Sequence, residues 1–104
     1  MGNEFAYEQL QEALLSMAAD PSRLQDRICA AHANWIRRVE PKDIPIDAQP
    51  LLARLNEALS PRRAGFADAP PTASAKALTE DDAAAAMQLF LDLYAAVKRT
   101  RCRA

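Results

Sequence analysis

The residues that could carry chemistry are few, and two of them lie close together in one predicted helix. His32 is the only histidine, so any acid–base catalysis by an imidazole would depend on it. Cys29 lies three positions earlier, and residues at this spacing are neighbours on a helix surface. The pair is half of a zinc site, but structural zinc takes four nitrogen or sulfur ligands, and Cys102 could add only a third. A Cys–His nucleophile dyad would lack an orienting partner. We therefore predict no metal and interpret His32 as a partly buried core histidine with a hydrogen-bond partner.

A second chemical pattern joins His32 to an arginine five positions before it. Arg27 and His32 form an Arg-x4-His spacing that resembles the ribonuclease motif of HEPN-type four-helix proteins. The resemblance implies metal-independent RNA cleavage at a dimer interface, with these two residues as the catalytic pair. Ile28 stands where that family has a polar residue, and the two side chains lie about 140° apart around a helix. Cleavage of RNA by Arg27 and His32 is therefore the enzymatic alternative.

The end of the chain is basic and provides a second alternative. The last seven residues contain no acid and four basic side chains: Lys98, Arg99, Arg101 and Arg103. Such a tail can contact phosphates, which would give weak binding of nucleic acid. Positive charge is also what the C-terminal end of any helix favours. With a net charge of −1, nucleic acid is not the partner that we expect.

The composition excludes several classes of protein. A chain of 104 residues is expected to form one domain. Gly2 and Gly65 are the only glycines, whereas phosphate-binding loops need several at fixed spacing, so we predict no nucleotide and no other cofactor. No apolar run is long enough to span a membrane. Two cysteines are too few for a disulfide framework, which favours a reduced, cytoplasmic setting. Abundant alanine and arginine suggest a GC-rich bacterial genome.

The longest helical pattern begins at Thr79 and ends near Arg101. Thr79 can cap this helix, and Asp82 completes a capping box with aspartate in place of glutamate. Leu78 precedes the cap at the position of a hydrophobic staple. Seven side chains at helical spacing predict the buried face of this helix: Ala83, Ala86, Met87, Phe90, Leu93, Tyr94 and Val97.

Two further helices are predicted in the first part of the chain. The first covers residues 4–19. Asp20 and Pro21 are typical of an N-cap and a first helical position, so a second helix is expected to start there and to run to about Val39. A junction this short predicts an antiparallel hairpin.

The middle of the chain is rich in proline. Residues 40–50 contain three prolines and predict an extended connection, held to the bundle by Ile44 and Ile46. Asp47 is the expected cap of a short third helix. Residues 61–77 have the composition of a flexible loop.

Together these elements predict an all-α fold: a four-helix bundle with a helical hairpin, a short third helix and a long C-terminal fourth helix. Residues 1–104 would form a single helical domain, with the flexible loop at 61–77.

The fourth helix carries more apolar surface than one packed face requires. Leu89 and Leu91 lie about 100° to either side of Phe90, which widens the apolar arc. Leu15 and Phe5 similarly lie off the stripe of the first helix. Either the fourth helix is the central one, or it shares a flank with another chain. We predict a non-enzymatic interaction or regulatory module that binds a protein partner or self-associates through Leu89, Leu91, Leu15 and Phe5.

Overall fold

The computed structural model describes residues 2–59 and 78–103 of the chain, with side chains over residues 4–59 and 78–100. Four α-helices account for most of them and no strand occurs among them, so the predicted all-α helical bundle is confirmed. The helices are α1 (Gly2–Ala19), α2 (Leu24–Asn34), α3 (Gln49–Ala58) and α4 (Glu80–Arg103). The predicted loop at 61–77 lies outside the described residues.

The turn between α1 and α2 differs in detail from its prediction. Asp20 does not cap α2. Its carboxylate instead accepts a hydrogen bond from the backbone N–H of Ser22 at 2.9 Å, and α2 begins only at Leu24. Arg23 is the N-cap residue, and its side chain makes no capping hydrogen bond. Aspartate closes such a local turn as readily as it caps a helix, which explains the later start.

The second helix is shorter than predicted, because its geometry changes at Trp35. The α-helix ends at Asn34, Trp35 leaves helical geometry with a φ of −129°, and a 3-10 turn follows over Ile36–Arg38. In a continuous helix Ile36 would lie about 80° from Ile28, at the edge of the stripe. The break instead leaves Ile36 fully buried. Burial of Ile36 in the core therefore takes precedence over continuation of the α-helix.

The proline-rich segment is not extended but forms two further 3-10 turns, Pro41–Asp43 and Ile46–Ala48. Ile44 is buried between them, as predicted. Ile46, in contrast, is 80% exposed, because the second turn packs Ala48 inward in its place. The prediction that Ile46 anchors this segment is therefore wrong.

The third helix begins without the predicted aspartate cap. Asp47 lies inside the preceding turn, and Ala48 is the N-cap residue of α3, with no side-chain hydrogen bond. Pro50 occupies the first turn of the helix, where its missing N–H costs no intrahelical bond.

The fourth helix agrees with its prediction. The Thr79 hydroxyl oxygen accepts the Asp82 backbone N–H at 3.0 Å, and the Asp82 carboxylate accepts the Thr79 N–H at 3.5 Å. Leu78 is buried beside this capping box. The predicted face is buried or half-buried throughout, and α4 contacts α1, α2 and α3. It is therefore the central helix of the described part of the bundle.

Two tyrosines show how α1 and α4 pack. The rings of Tyr7 and Tyr94 are stacked, with centroids 5.8 Å apart. Looking along each helix from its N-terminus, Tyr7 lies about 60° around α1 from the buried Leu10, and Tyr94 lies about 40° around α4 from the buried Phe90, with the same sense of rotation. When two neighbouring helices both face the core, side chains displaced from the core in the same sense come together only if the helices run antiparallel. We therefore assign α1 and α4 as an antiparallel pair.

Candidate functional site

The only histidine of the chain links α2 to α3 in the interior. Its Nε2 donates a hydrogen bond to the Asn56 side-chain oxygen at 2.8 Å, and His32 is only 7% exposed. Burial lowers the pKa of His32 below its ordinary value, although the bond to Asn56 raises it; the charge of Arg37 lowers it further. The prediction of a buried histidine with a hydrogen-bond partner is confirmed.

Cys29 is buried close to His32 on the same helix. Burial raises the pKa of this thiol to about 11, and the nearby Asp26 carboxylate adds to the effect. A thiol with this pKa remains protonated near neutral pH and is a poor nucleophile and metal ligand. Within residues 4–59 and 78–100, no three His, Cys, Asp or Glu side chains are placed so that they could hold a metal ion.

The two residues of the Arg-x4-His spacing make separate contacts. Arg27 points toward the junction of α1 and α2, where its Nη1 donates to the Met17 carbonyl at 3.4 Å. Its Nε is buried without a hydrogen-bond partner. His32 donates to Asn56 on the side of the helix that faces α3. The structure therefore engages both side chains within the fold and brings them to no shared site.

The described part of the basic tail lies at the end of α4. Lys98 and Arg99 are exposed there. The side chains of Arg101 and Arg103 lie outside the described residues, although the helix itself continues to Arg103.

The four residues predicted to form an interface are not all on one surface. Leu89 is half-buried and packs against the core, so the central position of α4 accounts for it. Phe5 is 40% exposed, but it lies about 160° around α1 from Tyr7 and so faces away from α4. Leu15, in contrast, lies about 80° beyond Tyr7 on the side away from the core, and Leu91 lies about 60° beyond Tyr94 in the same way. They are 57% and 40% exposed and share the outer side of the α1/α4 pair.

Further apolar side chains join Leu15 and Leu91 on this side. Leu14 lies seven residues after Tyr7, and Met87 lies seven residues before Tyr94, so an antiparallel pair places them at the same level. Both are half-buried. We call this surface the α1/α4 seam and define it by six residues: Tyr7, Leu14, Leu15, Met87, Leu91 and Tyr94.

Sequence reasoning missed Leu14 and Met87 as parts of a surface, because each lies on the inward-facing apolar side of its own helix. Only the stacking of Tyr7 on Tyr94 reveals that these two stripes meet at their edges. The shared seven-residue spacing from the tyrosines was the available signal, but it has no meaning until the two helices are paired.

Comparison of the chain with protein-family models, with curated proteins and with solved structures gave no match. Among the described helices, none combines the length and the apolar character that a membrane span requires.

Proposed function

We propose that this chain is a small, non-enzymatic interaction module of the bacterial cytoplasm that self-associates through the α1/α4 seam. The observation that carries the proposal is the placement of Leu15 and Leu91. Both are large, exposed and apolar, and both lie on the outer side of the same helix pair. We infer that they form one continuous apolar surface with their half-buried neighbours Leu14 and Met87.

The energetic argument rests on this continuity. Isolated exposed leucines are common and need no explanation, whereas contiguous apolar surface is typical of binding sites. Complete burial of a fully exposed leucine side chain contributes about 1.5–3 kcal/mol, and Leu15 and Leu91, which are 57% and 40% exposed, can gain roughly half of that. In a symmetric dimer both Leu15 and Leu91 would be covered twice, once on each subunit. This gain offers a driving force for association.

The two alternatives have less support from the described residues. A ribonuclease would need Arg27 and His32 to reach RNA, yet each is engaged within the fold. Binding of nucleic acid would depend on Lys98 and Arg99, whose position also suits the negative end of the α4 dipole. We therefore propose a protein partner, and specifically a second copy of the chain.

Light scattering across a wide range of protein concentrations tests the proposal. We expect the solution mass to rise toward twice the 11.4 kDa of one chain as the concentration increases. A mass of one chain throughout the range would reject self-association.

A further inference from the structure

The outer face of α4 carries a second periodic pattern beside its buried stripe. Six consecutive positions on this face follow each other at alternating spacings of three and four residues, and all are exposed: Asp81, Ala84, Gln88, Leu91, Ala95 and Lys98. Residues at this spacing lie on one face of a helix, as the contact positions of a coiled coil do. The middle of the face is apolar at Ala84, Leu91 and Ala95, and its two ends carry opposite charges at Asp81 and Lys98.

We infer that this face of α4 packs against the same face of a second copy, with the two helices antiparallel. The inference rests on the proposed self-association and shares Leu91 with the α1/α4 seam, whereas its other five positions lie outside the seam on α4. In an antiparallel pair of helices, a contact residue near the start of one helix faces a contact residue near the end of the other. Asp81 then faces the partner's Lys98, Ala84 faces the partner's Ala95, and Gln88 faces the partner's Leu91.

Charge complementarity selects the antiparallel orientation. Glu80 and Asp81 lie in the first turn of α4, whereas Lys98 and Arg99 lie near its end. A parallel pair would place the acidic ends together and the basic ends together. An antiparallel pair brings each acidic end to the partner's basic end and also opposes the two helix dipoles favourably.

The sizes of the side chains fit close packing. Ala84 and Ala95 are small and allow the two helix axes to approach to about 8 Å, the short end of the usual range. Leu91 would be buried close to the two-fold axis, between these alanine pairs. Gln88 lies as close to this axis as Leu91 does, and its side-chain N–H can keep its hydrogen bond to Asp92 there.

Disulfide trapping tests the register directly. Cys102→Ser removes the one thiol near the end of the chain, and Cys29 stays as it is because it is buried, with a pKa of about 11. In this background, one chain carries Ala84→Cys and a second, tagged chain carries Ala95→Cys. Under mild oxidation we expect the mixture to form a disulfide-linked heterodimer. We expect Ala84→Cys alone not to link, because two copies of position 84 would be about 16 Å apart along the antiparallel helices.

Each outcome separates the inference from the proposed self-association. A dimer in which Ala84→Cys links to itself would overturn the antiparallel register, and so would a dimer that forms neither link. Neither result would contradict self-association itself. A mass of one chain for the unmodified protein at all concentrations would overturn both proposals.

Charge exchange provides a second measurement that needs no cysteine. We expect Asp81→Lys to weaken the dimer about tenfold, since it replaces two attractive contacts by repulsive ones. Adding Lys98→Asp to the same chain should restore most of the affinity. If the double variant is as weak as or weaker than the single one, Asp81 does not face the partner's Lys98.

Discussion

Tyr7 of α1 stacks on Tyr94 of α4 with an interplanar angle of 16°, at the point where the first and last described helices meet. Phe90 continues the stack, with its ring centroid 6.3 Å from that of Tyr94. From this contact, and from the positions of the two tyrosines on their helices, we assign the two helices as an antiparallel pair. It thereby places Leu15 and Leu91 on one surface.

The stacked pair should contribute measurable coupling to stability. We expect Tyr7→Leu and Tyr94→Leu to show an interaction free energy of about 0.5–1.5 kcal/mol in a double-mutant cycle, because aromatic pairs stabilise beyond their buried area. Urea unfolding at one fixed protein concentration measures it, since association shifts the apparent stability. Two effects that add within about 0.3 kcal/mol would contradict a direct contact between the rings.

The buried histidine predicts how stability depends on pH. Because the pKa of His32 is lower in the folded protein than its ordinary value of 6.5, the unfolded chain binds the proton first. The free energy of unfolding should therefore decrease as the pH falls below about 6.5, until the lowered pKa is passed. Urea unfolding from about pH 7.5 to about pH 5.5 measures this decrease at pH values above most carboxylate titration.

His32→Gln is the matched control, because glutamine can still donate to Asn56 but does not titrate. Its stability should vary less over the same pH interval. Equal pH dependence in both proteins would mean that the pKa of His32 is the same in the folded and the unfolded chain, which would contradict the prediction.

The capping box of α4 should stabilise the whole bundle, because α4 contacts each of the other described helices. We expect Thr79→Ala to lower the free energy of unfolding by about 1 kcal/mol, since it leaves the Asp82 N–H without its hydroxyl partner. Thr79→Ser keeps the hydroxyl and should cost much less. Thermal or urea unfolding compares the two, and an equally large loss in both would assign the effect to the lost methyl group instead.

The elements with strong local signals were predictable from the sequence. The box of Thr79 and Asp82 and the apolar spacing of α4 depend only on residues within a few positions of each other. His32 was also predicted in the core, and it lies one helical turn after the buried Ile28 on the same face of α2. These local preferences agree with the tertiary packing, so the structure reproduces them.

Where local signals and packing disagree, packing decides the structure. Asp20 resembles a helix cap but closes a turn with Ser22, and Trp35 interrupts α2 so that Ile36 becomes buried. Ile46 is apolar yet exposed, since Ala48 fills the inward position. The α1/α4 seam could not be predicted at all, because it depends on the register between helices that are far apart in the chain.

The central claim is that two chains associate through the α1/α4 seam, and Leu91→Glu tests it most directly, because Leu91 is exposed in the seam and also lies on the outer face of α4. The matched control is Ile46→Glu, which adds the same charge at a leucine-sized apolar side chain that is 80% exposed and lies outside the seam. Circular dichroism should show both variants to be as helical as the unmodified protein. By light scattering we expect Leu91→Glu to have the mass of one chain at concentrations where Ile46→Glu and the unmodified protein are dimers. A Leu91→Glu protein that dimerises as tightly as the control would contradict the account.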